Sequence, residues 1–339
     1  METTARGVRL KQAFSHNAIW IVLIALIAII TIVDSNFLSL LSLKDIAVQS
    51  STRLIIALGA AFVLITAGVD LSAGRVVGLT AVVSASMLQI PEYGNRFFPD
   101  LPQLWAVIPI VIAIAVGFAV GLVNGFIVAK FNVPPFIATL GTMVAVFGAN
   151  SLYFDMEPNN SQPIAGLRDD FTVIGSGTLD LGSFSLPYII LIAIAVSFIV
   201  WIIFNKTELG KNMYAIGGNI QAAHVSGINV AKNILWIYAI AGALYGLAGV
   251  LEAARTGGAS NSYGNMYELD AIAACVVGGV STTGGVGRVK GIIAGVLIFT
   301  VINYGLTFIG INPNWQLIIK GLIIVVAVAF DIRKYVAKK

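Results

Sequence analysis

Ten apolar stretches separated by short polar breaks constrain this chain more than any other feature. They cover residues 18–33, 46–66, 76–90, 104–128, 136–154, 187–204, 232–251, 268–281, 289–309 and 315–332. A helix needs roughly 20 apolar residues to cross the bilayer core. The pattern predicts an all-α polytopic membrane protein with about ten transmembrane helices. Only 11% of the residues are charged, against about 25% in a soluble domain. That excludes an ordinary cytosolic enzyme, a disordered chain and a disulfide-built secreted module. Nothing marks a domain boundary, so residues 1–339 read as one transmembrane domain. Asp34-Ser35-Asn36 follows the first stretch without a small-x-small cleavage pattern, so that stretch reads as a retained anchor.

The net charge of +4 reflects lysine and arginine held on one side of a membrane, not nucleic-acid binding. With the N-terminus inside, the inner segments hold Arg6, Arg9, Lys11, Arg75, Lys130, Lys206, Lys211, Lys232, Arg288, Lys290, Arg333, Lys334, Lys338 and Lys339. The outer segments hold Lys44, Arg53, Arg96, Arg168 and Arg255, and Lys320 falls within the last span, in snorkelling reach of the outer face. This bias predicts cytoplasmic N- and C-termini and an even number of spans. Asp155, Glu157, Asp169, Asp170 and Asp180 share the long outer stretch 155–186, which is too short for a domain and long enough to dock a partner.

Glycines recur as Gly117…Gly121…Gly125, Gly242…Gly246 and Gly291…Gly295, the spacing that lets membrane helices approach closely. The stretch from Gly278 to Gly287 is glycine-rich, but Arg288 and Val289 follow where a nucleotide loop needs Lys and then Ser or Thr. Cys275 lies in an apolar run and reads as a packed core residue. His16, His224 and Cys275 are too scattered for a metal site. No hydrolytic constellation can be assembled. Every acid maps to a helix end or loop: Asp70 and Glu252 end spans, Glu268 and Asp270 start one, and Asp331 ends the last. No proton- or sodium-binding carboxylate is therefore expected at the membrane centre, and energy for uphill transport would enter from outside the membrane. The remaining interior groups are neutral: Gln49, Ser50, Ser51, Asn124, Thr139, Thr142, Asn150, Ser151, Asn303 and Tyr304. Of these, Gln49, Ser50, Asn124, Thr139, Asn150, Asn303 and Tyr304 are the candidate lining of a path for a neutral polyhydroxylated solute. Interhelical hydrogen bonding is the alternative role for each.

The longest inner loop is 205–231. Asn219 can cap a helix of about two turns, Ile220-Gln221-Ala222-Ala223-His224-Val225-Ser226, and Gly227 is a suitable stop. The result is a rod about 10 Å long (1.5 Å per residue). It lacks the apolar face and lysines of a lipid-surface helix, so it reads as a peg that enters a partner's groove.

These residues resemble the membrane-spanning subunit of bacterial ATP-binding-cassette monosaccharide importers, the ribose and galactose permease family. The resemblance is carried by Thr66-Ala67-Gly68-Val69-Asp70-Leu71-Ser72-Ala73-Gly74-Arg75, by Pro135-Phe136-Ile137-Ala138-Thr139-Leu140-Gly141-Thr142 and by Ala215-Ile216-Gly217-Gly218-Asn219 with Ala222-Ala223 and Ser226-Gly227. A fourth segment runs from Tyr267 to Ala274 and into the glycine-rich loop. Val301-Ile302-Asn303-Tyr304-Gly305-Leu306-Thr307, followed by Gly310-Ile311-Asn312-Pro313, is most similar to the galactose and methyl-galactoside branch. The resemblance implies a homodimer in the bacterial inner membrane, alternating access, a separate ATPase that holds ATP and Mg, and a periplasmic sugar-binding protein. This chain itself would hold no cofactor. Asn219, Gln221, Ala222, Ala223, His224, Ser226 and Gly227 would couple to the ATPase. Ribose, xylose or another sugar is the alternative cargo, and a self-contained carrier or channel the alternative mechanism.

Overall fold

A computed structural model describes Trp20 and residues 23–182 and 185–336. Arg6, Arg9, Lys11, His16, Lys338 and Lys339 lie outside the described residues. The helices are α1 (Leu23–Val33), α2 (Leu40–Ile65), α3 (Ala73–Met87), α4 (Val107–Phe131), α5 (Pro135–Phe154), α6 (Asp169–Ser176), α7 (Tyr188–Lys206), α8 (Glu208–Gly218), α9 (Ile220–Val225), α10 (Val230–Thr256), α11 (Tyr267–Val277), α12 (Val289–Phe308) and α13 (Pro313–Val336). Six of them, α2, α4, α5, α7, α10 and α12, are long and apolar enough to cross a membrane. A short antiparallel hairpin of β1 (Thr178–Asp180) and β2 (Ser185–Pro187) interrupts the all-α pattern, with Thr178 opposite Pro187.

Burial sorts the helices. Residues 55–65 of α2 are buried throughout, and α10 is buried along much of its length. Helices α4, α5 and α7 instead expose Val111, Phe126, Val144, Ile194 and Phe198, which suits a solvent of lipid tails. The expected glycine spacing does the packing. A β-carbon on Gly117 would lie 2.4 Å from the Gly242 carbonyl oxygen, and one on Gly121 would lie 2.2 Å from the Tyr238 oxygen. Helices α4 and α10 can therefore meet backbone to backbone only with glycine there. Gly291 and Gly295 serve the α11–α12 contact in the same way, against Gly278 and Ala274. Cys275 is fully buried, its thiol on the Ala57 carbonyl oxygen at 3.1 Å.

Loops gather at two ends. At one end Gln89 bridges Leu167, Ile164 bridges Ala259, and Lys44 donates to Ser185 at 3.3 Å. At the other, the Gly285 N–H donates to the Ile65 carbonyl (2.8 Å) and the Tyr214 hydroxyl to the Gly287 carbonyl (2.9 Å). Two expected spans are shorter than a bilayer is thick. Helix α3 has 15 residues and α11 has 11, or about 22 Å and 16 Å at 1.5 Å per residue. Helix α11 is short because the chain before it runs inward without helical structure: the backbone of Tyr263 and Gly264 packs on Gly78 and Gly74 of α3. The stretch 155–186 is also less free than a docking loop. Its helix α6 packs on α10, where a β-carbon on Gly175 would lie 2.3 Å from the Arg255 nitrogen.

Candidate functional site

Three assemblies follow from this fold: a peg, the junction behind it and a polar cavity at the far end. The peg is α9. Asn219 adopts an extended backbone, and its side chain accepts from the Ala222 N–H at 3.0 Å, which satisfies a donor the first turn leaves free. The helix stops where Gly227 N–H meets the His224 carbonyl (3.0 Å) and Ile228 N–H meets the Ala223 carbonyl (3.1 Å), with Gly227 at φ +81°. This is the paired C-terminal bonding that a left-handed residue permits. Asn219, Gln221, Ala222, His224, Ser226 and Gly227 are exposed, as expected. Ala223 is not: at 3% exposure it packs into the core, because a six-residue helix tied down at both ends must turn one side inward. The apolar members of the outward face are Val225, 89% exposed, and Ile220. Five residues apart, about 140° around a helix at 3.6 residues per turn, they do not form the i, i+3 or i, i+4 pair by which sequence marks an apolar face.

The junction is built by α8, a helix within the stretch 205–231 that the sequence pattern predicts as a loop. Thr207 caps it by accepting from Gly210 N–H at 3.2 Å, and Met213, Ile216 and Gly217 are buried. Gly217 lies against the carbonyl of Ile65, the last residue of α2, and against the nitrogen of Gly285 in the loop before α12. One turn earlier, the Tyr214 hydroxyl holds the Gly287 carbonyl. Burial pushes the Tyr214 hydroxyl up from its ordinary value, with Arg288 opposing, so it stays a neutral donor at physiological pH. Helix α8 thus touches the two turns that precede α3 and α12 and leads straight into the peg.

Above this junction the chain turns back through residues 66–72. Asp70 accepts from the Ser72 nitrogen (2.9 Å) and hydroxyl (2.6 Å), Asn124 of α4 donates to Ser72 (2.9 Å), and Thr139 of α5 takes the Leu71 N–H and donates to Val69. Asn124 and Thr139, expected to line a path, are instead fully buried braces of this turn. Asp70 corrects a second expectation. Helix α2 ends at Ile65, and Asp70 lies at 3% exposure inside the bundle, flanked by Tyr238 and Tyr245 of α10. Glu252 is likewise buried within α10, paired with Arg255 at 2.7 Å. Carboxylates do occur inside the bundle: Asp70 and Glu252 are engaged by neighbouring donors, while Glu268 is buried with one carboxylate oxygen unpartnered among the described residues. Sequence position alone could not show a chain that folds back into its own core.

Arg75 also moves. Its guanidinium donates to Asn265 (2.7 Å) and covers the Phe147 ring at 4.4 Å. Phe147 lies twelve residues along α5, about 18 Å at 1.5 Å per residue. Arg75 is therefore a half-buried residue of α3 that spans to α5 and to the chain before α11, and not a loop residue.

The polar cavity lies between α2, α12 and α13. Gln49, Arg53, Asn303, Tyr304, Thr307, Phe308, Gln316 and Lys320 line a space of about 370 Å³. The structure thus brings Gln49, Asn303 and Tyr304, three of the candidate path residues, to one cavity. Ser50, on the buried side of α2, and Asn150 on α5 are elsewhere in the packed bundle. Lys320, expected to snorkel, donates to Asp270 at 3.1 Å, and Arg53 approaches the same carboxylate oxygen at 3.5 Å. One acid of α11 therefore joins α2 to α13.

No solved structure matches this chain. The galactose/methyl galactoside import permease protein MglC of Haemophilus influenzae is 56% identical over 324 residues, covering 96% of each chain. The protein of that name in Escherichia coli is 54% identical with the same coverage. The ribose import permease protein RbsC of Haemophilus influenzae is 41% identical over 312 residues, 92% of this chain and 91% of its own. Residues 42–328 match the family described as branched-chain amino acid transport system / permease component. That match spans α2 to most of α13, including the peg, the junction and the cavity, so the chain belongs to this permease family.

Proposed function

We propose that this chain is the membrane-spanning subunit of an ATP-driven importer of the bacterial inner membrane, and that its cargo is galactose or a methyl galactoside. The observation that carries this reading is the 56% identity, along 96% of both chains, to a protein named for galactose and methyl galactoside import. The chain acts in transport and not as an enzyme. In the full assembly it has about ten spans with both termini in the cytoplasm, and it pairs with a second copy of itself around an alternating path. A periplasmic sugar-binding protein delivers at the end that carries 155–186. An ATPase that holds ATP and Mg docks at the end that carries 205–231. The exposed face of α9 is the contact with that ATPase. A push on α9 travels through α8 to Gly217 and Tyr214, and from there to the turns at Ile65 and Gly287. Because these turns lead into α3 and α12, the stroke moves two elements of the bundle at once. The buried carboxylate of Asp70 is a brace for this turn and not an ion carrier, since both Ser72 donors already occupy it.

The test is reconstitution of the permease in vesicles with its ATPase and binding protein, followed by labelled galactose uptake. Uptake that requires ATP and all three components is expected. Uptake by the permease alone along an ion gradient would refute the reading.

A further inference from the structure

At the end that carries α9, two helices mark the edge of the membrane. On α7, the Lys206 ammonium lies 5.9 Å from the centre of the Trp201 ring. On α10, Lys232 precedes Trp236 by four residues, and Trp236, 44% exposed, packs on Phe118 of α4 at 6.2 Å. Tryptophan settles at headgroup level and lysine reaches just beyond it. Helices α8 and α9, which connect α7 to α10, therefore stand outside the hydrocarbon. A cavity of about 520 Å³ between α8 and α10 includes Trp236 in its wall, and so lies at headgroup depth. Its size falls within the range of roughly 300–1,000 Å³ for small-molecule sites. Ala222 and Val225 of the outward α9 face are not among its walls, so it is separate from the proposed ATPase contact.

The cavity holds one charge of each sign. Glu208 of α8 and Lys232 of α10 both line it and both are exposed. Neither side chain forms an ion pair or hydrogen bond among the described residues. An acid in the first turn of α8 is favoured by that helix alone; a lysine from a second helix in the same cavity is not required by it. Asn212, on the same wall, donates to Asn233 (3.3 Å), and Asn233 donates to the Asn229 carbonyl (2.8 Å). This ladder fixes the Asn212 amide and leaves its oxygen without a partner among the described residues.

We propose that this cavity binds the headgroup of a zwitterionic phospholipid with a primary ammonium, the chemistry of phosphatidylethanolamine. Lys232 takes the phosphate, and Glu208 with the Asn212 oxygen takes the ammonium. A primary ammonium has three N–H donors for these acceptors, whereas a choline headgroup has none. An anionic glycerol headgroup would satisfy Lys232 and leave Glu208 facing a phosphate. Trp236 supports the glycerol region beside the acyl chains. The bound lipid then ties α8, the element behind the peg, to α10. The proposal rests on the reading above only in placing residues 205–231 at the cytoplasmic leaflet, and not on the cargo.

The experiment releases the complete transporter from bilayers of equal parts phosphatidylethanolamine, phosphatidylcholine and phosphatidylglycerol, and counts retained lipids by native mass spectrometry. The native complex should retain phosphatidylethanolamine in preference to the other two. Retention should fall stepwise across N-methylated phosphatidylethanolamines as N–H donors are lost, a comparison that needs no variant. Glu208→Gln should cut the preference over phosphatidylcholine about fivefold, and Lys232→Gln should lower retention of all three by a similar factor, the upper worth of one exposed charge pair. Lys206→Gln, at the same membrane edge and outside the cavity, should change nothing. Retention in the proportions offered, or an ethanolamine preference unchanged in Glu208→Gln, overturns the site. Lipid held by the permease alone and released when the ATPase is added assigns the cavity to that partner and also overturns it. Galactose uptake is measured on the same preparations: absent import with intact lipid preference refutes the import reading and leaves this site standing.

Discussion

Replacing Gly217 by alanine tests whether α8 transmits force through a backbone contact. A β-carbon at 217 would lie 1.7 Å from the Ile65 carbonyl oxygen and 2.6 Å from the Gly285 nitrogen. These two atoms are joined by a 2.8 Å hydrogen bond. Real β-carbons stay at least 3.0 Å from such atoms, so the carbonyl must retreat by 1.3 Å, the difference between 3.0 and 1.7. Both neighbours are backbone in turns that lead into packed helices and cannot swing aside. Overpacking of this kind costs about 1–3 kcal/mol, and the broken bond adds about 1 kcal/mol. Gly218 is the internal control, since a β-carbon there meets nothing within 4 Å. Both substitutions gain the same helix propensity, up to about 1 kcal/mol. The two variants should therefore differ by about 2–4 kcal/mol, with Gly218→Ala at or above native stability. Thermal unfolding of the purified permease in detergent, followed by tryptophan fluorescence, measures the difference. ATP-driven uptake in vesicles should fall for Gly217→Ala and hold for Gly218→Ala. Equal stability and equal uptake in the two variants would show that the junction is not a tight contact, and the transmission argument would be wrong.

Three further outcomes follow from the same geometry. Ala222→Glu, on the exposed face of α9, should leave membrane yield unchanged and abolish ATP-driven uptake, whereas Ala223→Glu should lower the yield itself, because Ala223 is 3% exposed; immunoblots of membranes beside uptake assays separate the two. Asp270→Ala leaves Arg53 and Lys320 without their shared acid and should lower stability by about 2–3 kcal/mol, while Arg53→Met with Lys320→Met added to it should recover most of that loss in a thermal unfolding series. Ala67, two residues past the end of α2, has φ +60°, a left-handed conformation that costs a residue with a β-carbon about 1–2 kcal/mol, so Ala67→Gly should raise the melting temperature if no strain is stored there for function; a fall would mean that the Ala67 methyl is needed against Gly284.

The apolar stretches foretold the six long helices closely, and the glycine spacing foretold the α4–α10 and α11–α12 contacts. The α9 peg was legible down to its cap because capping is local chemistry, decided within four residues. Its inward-facing Ala223 was not, since which side of a short helix is covered depends on the elements behind it. Helix α8 was missed for the opposite reason: its polar composition looks like a loop, and it is held by contacts to Ile65 and Gly287, which are distant in sequence.

Charge placement divides in the same way. Hydropathy determined that the chain lives in a membrane, because transfer of apolar side chains is a sum over residues and needs no partner. It also determined where most helices run, and local capping chemistry determined where α9 begins and ends. Only the tertiary structure decided that Asp70 lies inside the bundle, that Arg75 meets Asn265 and Phe147, that Lys320 meets Asp270 instead of the headgroups, and that Asn303, Gln49 and Tyr304 share one cavity while Asn124 and Thr139 brace another turn. The cost of a buried polar group depends on the donor or acceptor that meets it, and that partner comes from a different helix, whose position no local pattern encodes.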